Sequence, residues 1–254
     1  MIGHQVDING IRVDAVYSEQ ETEELFLPLL RELAELHAAK GRRILVMLAA
    51  PPGAGKTTLL SFLQRLSREQ ERTARIQAVG MDGFHRRQEY LLSHTVERDG
   101  KAIPMVSVKG APATFDLEKL REAVRRTAAG DVFGWPAYNR LLHNPVEDAV
   151  TIDGSIVLLE GNYLLLDEDG WRDLSAFADY TVSVRADEEL LRTRLIDRRI
   201  KTGVDREAAV RFVDFSDMPN VRLCLEKTKP ADLELQIGRD GSFSRVPART
   251  GSME

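Results

Sequence analysis

The feature that most constrains this chain is the segment Ala50-Pro51-Pro52-Gly53-Ala54-Gly55-Lys56-Thr57, which lies between two apolar runs. The run before it, Ile44-Leu45-Val46-Met47-Leu48-Ala49, has the composition of a buried strand. The apolar residues after it recur at helical spacing: Leu59, Leu60, Phe62, Leu63 and Leu66. A glycine-bearing loop between a strand and a helix points backbone N–H groups at a phosphate, and the helix N-terminus adds positive partial charge. The sequence therefore predicts a phosphate-binding loop in an α/β domain.

Each residue type in this loop has a role that the motif predicts. Gly53 and Gly55 allow a tight turn and close approach to a phosphate. Lys56 can reach the β- and γ-phosphates of a nucleotide, and the Thr57 hydroxyl can bind Mg²⁺. Ala50 stands where the motif usually has its first glycine, and we expect it to be tolerated if its φ is negative. The alternative is an ordinary glycine-rich turn. The expected nucleotide contacts are Pro52, Gly53, Ala54, Gly55, Lys56, Thr57 and Thr58.

Composition excludes several classes of protein. The 254 residues suffice for one large or two small domains, and 43% hydrophobic residues can build a full core. A net charge of −5 argues against general nucleic-acid binding. With a single cysteine, Cys224, no intrachain disulfide can form, and a thiol metal cluster is not expected. We see no signal sequence and no membrane-length apolar run, so we expect a soluble, cytoplasmic protein that binds neither nucleic acid nor membrane.

Residues 1–41 are predicted to form an extension packed on the main domain. Apolar alternation around Asn9-Gly10 indicates a β-hairpin. Residues 19–39 have helical periodicity after Ser18, a candidate N-cap, and before Gly41. Pro28 inside this helix predicts a kink or a break.

Residues 42–247 are predicted to form one α/β domain with a P-loop NTPase fold. Five strands, around residues 44–49, 76–81, 155–159, 180–184 and 233–237, alternate with helices, which predicts a mainly parallel five-stranded sheet flanked by helices. Residues 86–114 lack a clean period, so we expect a flexible, partly helical insert over the site. Residues 132–145 are interpreted as an aromatic and polar connection, 192–206 as a helical lid, and 248–254 as a disordered tail.

Two acidic residues follow predicted strands and should meet at the carboxyl edge of the sheet. Asp82 is our candidate for accepting a proton from a substrate hydroxyl, although it could instead be a turn aspartate. Glu160 is our candidate for holding Mg²⁺, directly or through water, although it could be a solvated strand-end acid. The lid carries Arg192, Arg194, Arg198 and Arg199; of these, Arg194 and Arg198 share one helical face and are favoured for clamping phosphates over Arg199.

A phosphate loop alone does not specify the reaction, so three classes compete. A GTPase should carry a guanine-reading Asn/Thr-Lys-x-Asp motif, but Thr228-Lys229-Pro230-Ala231-Asp232 is one residue too long and precedes a strand. A transport ATPase should carry subunit-interface signatures after its strand-end acid, and we find none. A small-molecule kinase needs a phosphate-binding lysine, two carboxylates and mobile arginines, all of which have candidates here.

At these residues the sequence resembles the uridine kinase, phosphoribulokinase and bacterial pantothenate kinase superfamily. The likeness runs in order from about residue 42 to 238 and is greatest to the nucleoside/sugar-kinase-like branch, which includes kinases associated with fructose transport. It is carried by the phosphate loop, Asp82-Gly83-Phe84-His85, Lys109-Gly110-Ala111-Pro112-Ala113-Thr114-Phe115-Asp116, Tyr138-Asn139-Arg140 and Leu159-Glu160-Gly161-Asn162-Tyr163-Leu164-Leu165-Leu166.

The resemblance implies roles for further residues. Asp82 would take the catalytic aspartate's place, and His85, Phe115, Asp116, Tyr138 and Arg140 would contact the substrate that accepts the phosphoryl group. Asp116 could bind paired hydroxyls, cap the next helix, or do both. Tyr138 could contact the acceptor or be a half-buried aromatic, and His85 could be structural. The segment around residues 93–107 is longer than is usual in the sugar-kinase-like branch, and it lies where the acceptor pocket would be covered.

These observations predict an ATP- and Mg²⁺-dependent kinase that phosphorylates a hydroxyl of a small polyhydroxy metabolite. A sugar or sugar-like alcohol is the first choice, a nucleoside the second and pantothenate the third. The alternative from another class is a nucleotide-binding regulator without transfer activity. The sequence leaves the oligomeric state open, and a homodimer is one state we consider.

Overall fold

The computed structural model describes residues 1–8, 11–70 and 75–247, so the predicted Asn9-Gly10 turn and the tail at 248–254 lie outside the described residues. The strands in chain order are β1 Ile2–Ile8, β2 Ile11–Tyr17, β3 Ile44–Ala49, β4 Ile76–Gly80, β5 Thr95–Arg98, β6 Lys101–Pro104, β7 Phe133–Asn139, β8 Asn144–Ile152, β9 Ile156–Gly161, β10 Tyr180–Ala186, β11 Leu233–Ile237 and β12 Phe243–Arg245. The α-helices are α1 Glu19–Glu21, α2 Leu27–Lys40, α3 Lys56–Glu69, α4 Gln88–Ser93, α5 Leu117–Ala129, α6 Glu188–Lys201, α7 Arg206–Phe212 and α8 Met218–Lys227.

The central sheet has six strands in the order β12-β11-β10-β3-β9-β4. Five of them are parallel, and β12 pairs antiparallel with β11 at one edge. The five parallel strands are those predicted from the sequence, and the α/β P-loop fold is confirmed. The sixth strand was missed because it has only three residues, at an edge where little apolar surface is buried.

Strand β3 lies at the centre of the sheet and separates two hydrophobic cores. Its alternate residues Ile44, Val46 and Leu48 belong to one core, which contains α2, α3 and α6 side chains such as Leu33, Phe62 and Leu195. The residues between them, Leu45, Met47 and Ala49, belong to the other core, with Leu120 of α5, Trp135 and Trp171. Because both faces are covered, every residue of β3 is buried, which explains its unbroken apolar run.

The N-terminal helical segment continues past Pro28 without breaking. Ser18 caps α1 in a capping box with Glu21, and a π-helical turn, Thr22–Phe26, joins α1 to α2. Pro28 lies in the first turn of α2, where a missing N–H is tolerated. Instead of a break, the structure has one π turn just before Pro28, and the helix continues beyond it.

Two segments contain strands that were not predicted. Residues 86–114 are partly helical, as predicted, with α4 and two short 3₁₀ turns, but they also contain the β5–β6 hairpin. The predicted connection at 132–145 is largely the antiparallel β7–β8 hairpin. Helix α7 continues through a π turn, Val213–Asp217, into α8. As in the N-terminal segment, the π turn comes just before a proline, Pro219.

Among the described residues, no helix has both the length and the apolar character needed to cross a membrane.

Candidate functional site

The candidate site lies at the carboxyl edge of the sheet, where β3, β9 and β4 are neighbours. In the β4–β9 ladder Gly80 pairs with Glu160, so the 3₁₀ turn that carries Asp82 begins beside Glu160. The Trp135 indole N–H donates to the Gly80 carbonyl (2.9 Å) and holds this end of β4. The two carboxylates predicted from strand ends are thus brought together.

The phosphate loop has the backbone conformation that its glycines predicted. Gly53 and Gly55 adopt φ values of +85° and +81°, and Gly55 is the N-cap of α3, with no side chain capping the helix there. The first N–H groups of α3 thus have no side-chain acceptor and can donate to a phosphate. Ala50 is buried and has no positive φ, and its N–H donates to the Gly161 carbonyl (3.2 Å), so its methyl group is accommodated.

Thr57 and Glu160 are directly connected: the Thr57 hydroxyl donates to Glu160 Oε1 at 2.7 Å. Glu160 is 7% exposed. Burial raises the pKa of its carboxyl group and nearby Asp82 raises it further, whereas Lys56 and the Thr57 hydrogen bond lower it. Asp82 and Lys56 are thus both within electrostatic reach of Glu160.

This oxygen pair fits Mg²⁺, which prefers hard oxygen ligands. The described residues contain no cluster of three or more His, Cys, Asp or Glu side chains that could hold a metal. The two residues that would hold the ion are Thr57 and Glu160, and phosphate oxygens and water would complete its coordination.

A basic cleft of about 450 Å³ opens above the loop. Six of the side chains along it are basic and two are acidic. Its lining residues are Arg12, Val13, Asp14, Gly53, Gly55, Lys56, Thr57, Thr58, Arg140, Arg194, Asp197, Arg198 and Lys201. Arg140, predicted to contact the acceptor, thus lies with the lid arginines and the phosphate loop.

The lid arginines occupy different positions. The Arg198 side chain is accessible from the cleft. The protein around its guanidinium excludes much of the water, which lowers the pKa of Arg198, and the nearby carboxylates of Asp217 and Asp82 oppose this shift. Arg194 lies beside the turn after β11, with Nη2 3.5 Å from where a Cβ at Gly241 would stand. Arg199 instead contacts Asp217 (3.5 Å) and the Phe212 ring (3.4 Å), so its role is structural.

His85 is the centre of the predicted acceptor side. Its Nδ1 lies 2.8 Å from the Asp82 carbonyl oxygen, so this nitrogen carries the proton that is donated. Its ring packs 4.0 Å from that of Phe115 and 5.1 Å from that of Tyr138. Burial lowers the His85 pKa, while Asp82 opposes the shift, and the ring therefore favours its neutral form.

Two predicted contact residues lie away from the basic cleft. Phe115 is 2% exposed and packs against Tyr163 and Trp171, so it supports His85 from the core and presents almost no surface to a ligand. Asp116 caps α5 by accepting the Lys119 N–H (3.2 Å), and it borders a separate recess of about 230 Å³. Asp116 thus has the capping role that was one of its two predicted roles, whereas the Phe115 ring belongs to the core.

Sequence reasoning missed two charged residues near the site. Lys109 lies over the Tyr138 ring (4.9 Å) and donates to Gln88 Oε1 (2.8 Å); it belongs to a quoted motif but was given no role. Asp217 is 9% exposed in the π turn before α8, and burial raises its pKa although Arg199 and Arg198 oppose this. No periodicity marked that turn as buried.

The comparisons with known proteins agree with this geometry. The pattern of the Phosphoribulokinase / Uridine kinase family matches residues 45–243. The chain belongs to this family. Phosphoribulokinase, uridine kinase and pantothenate kinase are all kinases, so membership makes this chain a P-loop kinase.

Individual relatives are similar over most of their length. The uncharacterized protein YggC of Escherichia coli (strain K12) is 38% identical over 94% of this chain and 97% of its own. A candidate uridine kinase of Schizosaccharomyces pombe, C227.14, is 27% identical over 77% of this chain and 83% of its own. A solved structure from Silicibacter sp. TM1040, described as a candidate fructose transport system kinase, is 30% identical, with a TM-score of 0.69 over 81% of this chain and 98% of that one.

Proposed function

We propose that this protein is an ATP- and Mg²⁺-dependent kinase that transfers the γ-phosphoryl group to a hydroxyl of a small polyhydroxy metabolite. A sugar or sugar-like alcohol is the preferred acceptor. The observation that carries the proposal is the linked set of charged groups at the strand ends. Glu160 is hydrogen-bonded to Thr57 of the phosphate loop and lies within electrostatic reach of Lys56 on one side and Asp82 on the other.

This arrangement supports a separate role for each residue in the transfer reaction. The acceptor oxygen forms a bond to the γ-phosphorus, and the bond from that phosphorus to the β–γ bridging oxygen breaks, leaving ADP. Asp82 orients the acceptor hydroxyl and takes its proton as the new bond forms. Lys56 and Arg198 stabilise the negative charge on the phosphoryl oxygens. Bound Mg²⁺ would neutralise phosphate charge, and Thr57 and Glu160 are the residues that would hold it.

The surroundings of Asp82 favour a small hydroxylated acceptor. His85, Tyr138 and Lys109 lie on this side, and their hydrogen-bonding groups and ring surfaces suit a molecule that has several hydroxyls and a compact apolar face. The candidate fructose transport system kinase supports a sugar, and the candidate uridine kinase makes a nucleoside the second choice.

The test is ADP production from MgATP across free sugars, sugar alcohols, nucleosides, pantothenate and ribulose 5-phosphate. We expect one sugar or sugar alcohol to stimulate ADP production strongly, and Lys56→Met to abolish the stimulation. Stimulation by a nucleoside or pantothenate alone would keep the kinase class and overturn the sugar preference. A flat panel from a protein that binds ATP would favour the nucleotide-binding regulator.

A further inference from the structure

The N-terminal hairpin formed by β1 and β2 lies outside the central sheet, yet it borders the phosphate cleft. Arg12, Val13 and Asp14 of β2 line the cleft together with Lys56 and Thr58. The family pattern begins only at residue 45, so it does not account for this hairpin.

The hairpin is fixed to α3, the helix that begins with Lys56. The Tyr17 ring stacks on the Phe62 ring at 4.1 Å, and His4 Nε2 lies 3.1 Å from Ser61 Oγ. Arg65 also donates to the Gly3 carbonyl (2.9 Å). These contacts hold the end of the hairpin that carries Gly3 and Tyr17 against the middle of α3. Arg12–Asp14 lie toward the other end of the hairpin, where Ile8 pairs with Ile11, and the same contacts hold them beside Lys56 and Thr58 at the N-terminus of α3.

The cleft has two distinguishable ends. At the inner end Arg198 is close enough to Asp82 for that carboxylate to affect its pKa. At the outer end Arg194 lies beside Gly241. With its γ-phosphate directed toward Asp82, a bound triphosphate would extend its α-phosphate and ribose away from that carboxylate along the rest of the cleft, which Arg12 and Asp14 also line.

The side chains on the outward face of β2 have the charges that this part of a nucleotide requires. Arg12 and Asp14 are 70% and 69% exposed, and Arg12 Nε lies 4.0 Å from Asp14 Oδ1. Gln5 Nε2 donates to Asp14 Oδ1 (2.5 Å), which orients the carboxylate. An exposed ion pair at 4.0 Å adds little to stability, so either side chain can exchange this partner for a ligand at little cost.

We propose that the hairpin is the outer wall of the nucleotide site, where Arg12 binds the α-phosphate and Asp14 accepts hydrogen bonds from the ribose hydroxyls. Binding of ATP then depends on a segment that precedes the kinase fold in the chain. The proposal rests on the proposed function, because it assumes a nucleoside triphosphate with its γ-phosphate at Asp82.

The test compares Arg12→Ala and Asp14→Ala by isothermal titration with the non-hydrolysable analogue AMP-PNP and with tripolyphosphate, both with Mg²⁺. We expect Arg12→Ala to weaken AMP-PNP binding by about tenfold, as for loss of one charge-assisted contact. Asp14→Ala should weaken AMP-PNP binding by roughly three- to tenfold and leave tripolyphosphate binding unchanged, because tripolyphosphate has no ribose.

Matched controls come from the same extension. Arg31 and Glu35 are exposed on α2 outside the cleft, so Arg31→Ala and Glu35→Ala should bind both ligands like the wild type. Unchanged AMP-PNP affinity in both hairpin variants would overturn the proposal and leave the proposed kinase function intact. A wild-type protein that binds neither ligand would overturn the proposed function, and this proposal with it.

Discussion

Glu160 shows how a single residue can serve function at the expense of stability. It is buried at the end of β9, where its charged form is poorly solvated, and Asp82 adds electrostatic repulsion. The Thr57 hydroxyl and the Lys56 charge offset this only in part, since the net pKa of the carboxyl remains raised. Such a carboxylate gains a partner when a cation binds, which is the role assigned to it above.

The raised pKa gives a signed prediction for stability. A carboxyl whose pKa is higher in the folded than in the unfolded state stabilises the fold at low pH, and this stabilisation is lost as pH rises through the folded-state pKa. Glu160→Gln removes the charge while its amide oxygen can still accept from Thr57. We therefore expect the ligand-free variant at pH 8 to melt about 2–4 °C higher than wild type, corresponding to roughly 1 kcal/mol.

Glu160→Gln should also weaken the Mg²⁺ binding that is proposed for the Glu160 carboxylate. In the proposed site protons compete with Mg²⁺ for Glu160, so Mg²⁺-dependent AMP-PNP affinity should rise with pH through the carboxyl's pKa. Glu160→Gln should flatten that rise and bind more weakly at pH 8. Thermal melts and titrations across pH 5–8 check both statements, and a variant that melts lower with unchanged Mg²⁺ dependence would contradict them.

At the residue scale, the sequence indicated which residue types matter better than it indicated where their side chains point. Asp82 and Glu160 could be found because parallel strands end at one edge of the sheet. The sequence could not show that the Phe115 ring is buried in the core, because its burial depends on Tyr163 and Trp171, which are distant in sequence. The grouping of Arg140 with the lid arginines is likewise set by tertiary packing.

At the scale of elements, the turn carrying Asp82 is positioned by the β7–β8 hairpin. Gly83 packs so closely on β7 that an added Cβ would overlap the backbone carbonyl of Pro136. Backbone cannot give way as a side-chain tip can, so the contact fixes the distance between the Asp82 turn and β7. This close contact gives the hairpin a function in holding Asp82.

Gly83→Ala should therefore damage both fold and catalysis. We expect a stability loss of roughly 1–3 kcal/mol from overpacking, and a turnover defect larger than the defect in AMP-PNP binding because Asp82 is displaced. Gly3→Ala is the matched control: its added Cβ has no atom within 4 Å and its φ is not positive, so stability should change by less than about 0.5 kcal/mol. Denaturant unfolding and steady-state kinetics measure these effects, and equal behaviour of the two variants would refute the positioning role.

The strands and helix junctions that were not predicted lack regular spacing of apolar residues, which is the signal used to predict such elements from sequence. Six consecutive residues of β8 are exposed, so no apolar alternation marks the strand, and a register shift between Trp135 and Ala137 interrupts β7. Pro28 and Pro219 look like helix breakers in sequence, but a π turn precedes each of them. Strands β3 and β9 were easy to predict because both are buried throughout.

At the scale of the whole molecule, three separate parts of the chain meet at the phosphate loop. Helix α6 packs on Gly53, since a Cβ there would lie 3.1 Å from both the Leu191 carbonyl oxygen and Leu195 Cγ. The N-terminal hairpin packs on α3, and the β4 and β9 ends supply the two carboxylates. The loop is thus enclosed by elements whose contacts join the basic cleft to the turn that carries Asp82.

The central claim is that the residues around the phosphate loop transfer the γ-phosphoryl group of ATP to an alcohol. Analysis of the products by ³¹P NMR tests this claim most directly. With MgATP and a pool of sugars and sugar alcohols, wild type should form one phosphomonoester for each ADP. Asp82→Asn should bind AMP-PNP within about twofold of wild type but form the phosphomonoester about 10²- to 10⁴-fold more slowly, as expected for loss of a general base. Inorganic phosphate formed in step with ADP, without a phosphomonoester and undiminished in Asp82→Asn, would contradict the account.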